Sequence, residues 1–217
     1  MNGCLKKLAS LGAAPLGGHQ VERELLVRHL GPEAACLGEL LLLKNGFYAF
    51  ESALHVLPFG KTTEGAGELV SWNDKGLWIE DYDGMASGKL FFAEDVFGNQ
   101  FCLVSGQVMS FDPETGSVEF VAPNLEAWAA EVLENYNVQT GYPLAHAWQS
   151  KHGPIPSGHR LIPKTLFVLG GPYEAENLYA LEATKGMKMR ASLAVQIRDL
   201  PDGAEVKVIV GEPPASI

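Results

Sequence analysis

Cysteine is scarce in this 217-residue chain. Cys4, Cys36 and Cys102 are far apart and odd in number, with no CxxC and no Cys/His cluster at zinc spacing. That excludes a disulfide-stapled scaffold and a structural zinc site, and makes a reducing cytoplasm the expected setting. Long apolar runs are also missing. Leu40 to Leu43 is closed off by Glu39 and Lys44, far short of the roughly 18 residues that span a bilayer. Basic residues are few: 16 Lys+Arg stand against 26 Asp+Glu, a formal net charge of −10. Nucleic-acid phosphates and anionic membranes both require a basic footprint, so neither is an expected partner. No segment of roughly 20 to 50 residues repeats, which argues against a solenoid.

What remains is a composition able to fold. At 47% hydrophobic and 19% charged residues, the chain can bury a core. Its length suits one domain with an extension. Lys6 and Lys7 followed by LASLGAAPLGG only faintly imitate a signal peptide. The apolar stretch is short and rich in Gly and Ala, so residues 1–19 are expected to form a mobile arm.

From residue 20 onward the periodicities alternate. Val21, Leu25, Leu26 and Leu30 predict a helix stopped at Gly31-Pro32, and Leu37, Leu40 and Leu41 predict a second that ends at Asn45-Gly46. FYAFESALHVLPF, 47–59, reads as a strand. Residues 61–83, with three glycines and Asn73-Asp74 between Trp72 and Trp78, read as a loop and edge hairpin. FFAEDVFGNQFCLV and VMSFDPETGSVEFV are β-rich, and the second is split by Asp112-Pro113-Glu114-Thr115-Gly116, a tight-turn sequence. Asn124 caps LEAWAAEVLENY, whose Leu125, Trp128, Ala129, Val132, Leu133 and Tyr136 share one helical face. A shorter helix follows Pro143. LFVLGG, 177–181, 191–197 and 206–210 read as further strands. The expected fold is α+β, a mainly antiparallel sheet flanked by helices, with residues 20–217 as one domain and a β-rich C-terminal extension from about residue 161.

No catalytic or metal-binding constellation emerges from the spacings. After Asp81-Tyr82-Asp83-Gly84, a calcium loop fails at Met85, Ala86 and Phe92. The glycine pairs at 65/67 and 170/171 lack a phosphate-cradling frame. His146, His152 and His159 are six and seven residues apart, off the spacing that stacks ligands on one helical face. Cys102 in FCLV reads as an inert buried thiol. Glu94-Asp95 lacks a neighbour that would tune the pair as acid and base. No cofactor and no metal are expected.

Acidity is concentrated instead. Between Lys61 and Asp95 eight carboxylates face three lysines, so half of the net charge lies in about a sixth of the chain. One reading is a solubilising surface. The other is a binding face in which Trp72, Trp78 and Tyr82 anchor a basic partner while Asp74, Glu80, Asp81, Asp83, Glu94 and Asp95 steer it.

LLLLKNGFYAFESALHVLPF at 40–59, FFAEDVFGNQFCLV at 91–104 and FDPETG at 111–116 resemble the SUKH superfamily, the group related to fungal glucan-synthesis regulators. The Trp128 helix, TGYPLAHAWQ at 140–149 and LFVLGGPYEAENL at 166–178 resemble its longer bacterial members, and the resemblance covers roughly 37–203. It implies an α+β fold without enzymatic activity. It also implies frequent service as an immunity protein that neutralises a cognate toxin domain, often a nuclease. An acidic inhibitor suits such a toxin, because its carboxylates occupy the surface that would hold phosphates. A regulatory or scaffolding module without a toxin partner is the alternative the family implies, and a cleft enzyme using the three histidines is a third, unrelated one.

Overall fold

Period-two alternation in the β-rich runs produces a sheet, and short turns between the runs force neighbouring strands to pair in order. The computed structural model describes residues 3–18, 21–62, 67–201 and 203–204. Helices α1 (Cys4–Leu11), α2 (Arg23–Leu30) and α3 (Leu37–Leu43) precede strands β1 (Phe47–Ala49) and β2 (Leu54–Val56). Helix α4 (Leu69–Trp72) then leads to β3 (Leu90–Asp95), β4 (Gln100–Val104), β5 (Gln107–Phe111) and β6 (Val118–Ala122). Helices α5 (Leu125–Glu134), α6 (Tyr136–Gln139) and α7 (Tyr142–His152) come next, then β7 (His159–Pro163), β8 (Leu178–Glu182) and α8 (Ala183–Ile197). β1 to β6 form an antiparallel meander in chain order, and β7 pairs with β8 in a second small sheet. The fold is α+β.

Each face of the large sheet carries its own aromatic layer. On one side Trp128 of α5 meets Phe92 and Phe101 edge-on, with ring centroids 5.0 and 5.5 Å away. On the other, Trp78 packs against Phe91 and Tyr82, and Tyr82 against Phe111. The β5–β6 turn is built as its sequence requires. Asp112 Oδ1 accepts from the Glu114 N–H at 2.7 Å, the Gly116 N–H donates to the Asp112 carbonyl, and Gly116 takes φ +71°. A side chain there would run into Met85 Sδ at 2.5 Å.

Several expectations are corrected. Residues 4–11 are not an arm: Leu5, Leu8 and Ala9 are buried, and the backbone N–H groups of Cys4 and Leu5 donate to the Glu126 carboxylate of α5. Residues 47–59 hold two short strands, because Phe50, Glu51 and Ser52 all take positive φ and reverse the chain. Instead of a hairpin, 61–83 contributes α4 and a 3-10 turn at Ile79–Tyr82 that tucks the aromatics inward. LFVLGG holds a 3-10 turn, Phe167–Leu169, stopped by left-handed Gly170. Residues 191–197 belong to α8, whose buried Ala183, Met187, Ala191 and Ala194 follow helical spacing. The C-terminal region is thus mixed rather than β-rich, and the strand expected at 206–210 lies outside the described residues.

Candidate functional site

The register of β2 against β3 sets His55 opposite Glu94, and that of β3 against β4 sets Glu94 opposite Gln100. These three side chains meet on one face of the sheet, and Arg160 arrives from β7. Glu94 Oε1 accepts from His55 Nδ1 and from Arg160 Nε, both at 2.9 Å. Glu94 Oε2 accepts from Gln100 Nε2 at 3.1 Å, and Gln100 Oε1 in turn accepts from Trp72 Nε1 at 2.8 Å. Arg160 Nη1 donates to the carbonyl of Ser52, which fastens the left-handed β1–β2 turn. All of these side chains are buried.

The charges in this network follow from its contacts. Burial alone would raise the Glu94 carboxyl, but the Arg160 guanidinium and the hydrogen bonds from His55 and Gln100 outweigh it and hold it at about 2. Burial pushes the His55 imidazole below its usual value despite Glu94. That burial favours the neutral imidazole, whose Nδ1 edge meets the Glu94 carboxylate. Its Nε2 is shut off from solvent and has no hydrogen-bond partner among the described residues. Beside the ring lies a cavity of about 400 Å³ walled by Leu57, Trp72, Leu77 and Ala183, with Glu68 and Glu182 also on its lining.

A second concave region lies along the β5–β6 side of the sheet. Asp112, Glu114 and Glu119 line a cavity of about 360 Å³, which the Phe167 and Tyr173 rings close, stacked 3.9 Å apart. Glu119 continues into a neighbouring hollow of about 480 Å³ with Glu131, Phe120 and Val138. Three apolar side chains here stand in solvent: Phe120 is 58% exposed, Tyr173 66% and Val138 81%. β6 is an edge strand. The opposite edge, β1, is covered, since the N–H groups of Ala13, Leu16 and Gly17 donate to the carbonyls of Tyr48, Gly46 and Asn45.

The residues expected to form a binding face are separated by the fold. Trp72, Trp78 and Tyr82 are core side chains, and Tyr82 Oη lies within hydrogen-bond reach of both the Pro113 and Met187 carbonyls. Glu94 and Asp95 are buried on opposite faces of β3, with Asp95 accepting from the Phe97 and Asn99 N–H groups and from Asn99 Nδ2. These five cannot touch a partner's surface. Asp74, Glu80, Asp81 and Asp83 are exposed, but Asp74 closes its own turn onto the Gly76 N–H and Asp83 is paired with Arg198 at 2.7 Å. The histidines are dispersed: His146 pairs with Glu51, His152 stacks on Trp148, and His159 Nδ1 faces the Ser157 carbonyl. Among the described residues there is no group of three metal-ligating side chains, and no helix is long and apolar enough to cross a membrane. Cys102 is buried and its thiol is pushed up to about 12. The expectations from sequence omit the β5–β6 groove, whose signal is the charged Glu119 beside an exposed Phe120 in β6.

Comparison with known proteins places this arrangement. Residues 35–131 match the model of the SMI1 / KNR4 family (SUKH-1), a span running from the 3-10 turn before α3 into α5 and containing the whole six-stranded sheet. The crystal structure of Atu4351 from Agrobacterium tumefaciens has a similar fold, with a TM-score of 0.53 at 12% identity over 86% of this chain and 87% of that one. No curated protein matches the chain.

Proposed function

Residues 35–131 belong to the SMI1 / KNR4 family (SUKH-1), and on that premise we propose that the protein is a non-enzymatic binding module of the immunity type, which neutralises a basic toxin domain in the cytoplasm. The observation that carries the reading is the β5–β6 groove. Exposed aromatic and aliphatic anchors there stand among Asp112, Glu119 and Glu131. Desolvated aromatic anchors supply binding energy, and surrounding carboxylates raise the encounter rate with a basic partner. A nuclease toxin fits best, since its phosphate-binding surface is basic. Non-enzymatic action is supported by the buried network as well: Glu94 is occupied by three donors, and Ser71 Oγ, on the cavity wall, is held by Glu68.

The test is co-expression with a candidate toxin domain drawn from genes neighbouring this one. Growth is expected to be restored by the native chain and lost with the pair Glu119→Lys and Val138→Lys, both exposed positions, while the folded signal of the variant is unchanged. Continued growth arrest with the native chain would overturn the reading. So would retention of several weak partners, in place of one stoichiometric basic protein, on affinity capture at low salt; that outcome would make this a scaffolding module.

A further inference from the structure

β6 leaves a row of backbone groups without partners. The Asp112 N–H donates to the Ser117 carbonyl at 3.0 Å, which makes these two a hydrogen-bonded pair of the ladder. Counting from that pair, the alternation of an antiparallel ladder turns the N–H and C=O of Glu119 toward Ser110 on β5, and those of Val118 and Phe120 away from it. The register shift falls between Phe120 and Ala122, so 118–120 keeps regular pairing. Among the described residues, no backbone group of 118–122 makes a hydrogen bond outside the β5 ladder. Native sheets blunt an open edge with lysine, proline or a covering segment. β1 has its cover in residues 13–17, whereas Val118-Glu119-Phe120-Val121-Ala122 contains neither lysine nor proline and is rich in strand-forming residues.

The side chains along this edge select what pairs with it. Glu119 is exposed, Glu131 of α5 shares its hollow, and Phe120 presents an apolar ring to solvent. A second copy would bring two Glu119 carboxylates onto one short edge, and a net charge of −10 on each chain opposes that approach. We propose that β6 accepts an extended basic segment of a protein partner as an additional antiparallel strand, with a Lys or Arg opposite Glu119 and apolar residues opposite Val118 and Phe120. This mode rests on the basic partner assigned to the groove above. To the side-chain anchors it adds main-chain hydrogen bonds, which supply affinity while the alternating side chains supply selectivity.

The experiment adds a synthetic strand, acetyl-TKVRVT-amide, to the isotopically labelled full chain and follows backbone amides by NMR. The Val118 and Phe120 amides are expected to shift saturably and, at saturation, to exchange with solvent at least about tenfold more slowly. Acetyl-TEVEVT-amide is expected to bind about tenfold more weakly, because like charges then face each other across the pair. N-methylation of the two peptide valines, whose N–H groups would face β6, is expected to abolish the shifts. The same change on the peptide's lysine and arginine, whose N–H groups face away, is expected to leave them. Glu119→Lys is expected to reverse the preference between the basic and the acidic peptide. Shifts that survive valine N-methylation would reduce the contact to side-chain attraction and overturn the proposal, as would the lack of a saturable shift at these two amides. Protection of Val118 and Phe120 that grows with chain concentration, without peptide, would give the edge to a second copy and overturn it equally. Growth rescue by a chain whose edge takes no strand would leave the toxin reading standing and remove the strand; strand addition without rescue would do the reverse.

Discussion

Glu94 and Asp95 are neighbours on β3, face opposite sides of the sheet, and have carboxyls driven in opposite directions: Glu94 down to about 2 by Arg160, His55 and Gln100 against the cost of burial, and Asp95 up to about 7 by burial that its three hydrogen-bond donors only partly offset. Glu94 is the counter-charge of a guanidinium with 1% exposure. Removing that charge strands Arg160 in the core. Glu94→Gln is expected to cost about 3–5 kcal/mol, read as a lowered urea midpoint at unchanged slope. Adding Arg160→Met is expected to recover part of the loss, since an uncompensated buried charge is worse than none. A single variant no less stable than the native chain would contradict this account of the network.

Asp95 gives a pH dependence of known sign. Its carboxyl is raised from 3.8 to about 7 in the folded state, so between those values the folded chain holds a proton that the unfolded chain has released. Stability therefore falls as pH rises through that window, by an amount on the order of 4 kcal/mol from this group. Glu94 acts oppositely. Its contribution is present above about 4.5 and is lost as pH falls toward 2. In Asp95→Asn, Oδ1 keeps the Phe97 and Asn99 N–H donors, and a flipped Asn99 amide restores the third contact. The melting temperature of this variant minus that of the native chain is expected to grow more positive from pH 4 to pH 8. A flat difference would place the Asp95 carboxyl at an ordinary value.

Tyr82 separates a packing role from a contact role. Its hydroxyl proton is shared between the carbonyls of Pro113, in the β5–β6 turn, and Met187, in α8. Tyr82→Phe leaves both buried acceptors short of a donor, and a loss of about 1–3 kcal/mol is expected. Partner affinity, measured well below the melting temperature, is expected to stay unchanged. All four tryptophans are buried, so native fluorescence is expected to be blue-shifted and resistant to acrylamide. Efficient quenching in the folded state would return Trp72 or Trp78 to the surface.

Elements whose signal was local and unbroken were legible in the sequence. Asn124 caps α5 through the Ala127 N–H, and the Asp112 to Gly116 turn closes β5 onto β6. Acidity and aromaticity coincide along the chain but not in space, which misplaces the binding face. In space the 3-10 turn at Ile79–Tyr82 sends Ile79 and Tyr82 inward and Glu80 and Asp81 outward. A window that starts at Ala191 reads as a strand because it hides Met187 and Ala183, one and two turns earlier in α8. Arg160 could not be paired with Glu94 from sequence, since 66 residues separate them and only the docking of β7 joins them. The groove needed topology too: its anchors Phe120, Val138 and Tyr173 come from β6, α6 and the loop before β8.

The N-terminal helix offers the sharpest remaining test, because the expectation of an arm and the observed packing predict opposite results. α1 lays Leu5, Leu8 and Ala9 into the main core, with Leu8 fully buried. It also hands the Cys4 and Leu5 N–H groups to Glu126, a carboxylate in the first turn of α5. One side chain therefore answers two of the unpaired donors that every helix N-terminus presents. Deleting residues 1–12 would expose apolar surface on α3 and α5 and uncover Phe47, which lies against Gly12. Leu8→Ala is the milder probe, expected to cost about 2–5 kcal/mol through lost burial and the void left behind. Glu126→Gln, which weakens the helix-to-helix contact without opening a cavity, is expected to cost less, about 1 kcal/mol. Urea unfolding of the two variants, and amide exchange of residues 4–11 in the native chain, would decide it. An arm would exchange at once and leave both midpoints where they were; a packed helix would exchange slowly, and Leu8→Ala would lower the midpoint more than Glu126→Gln.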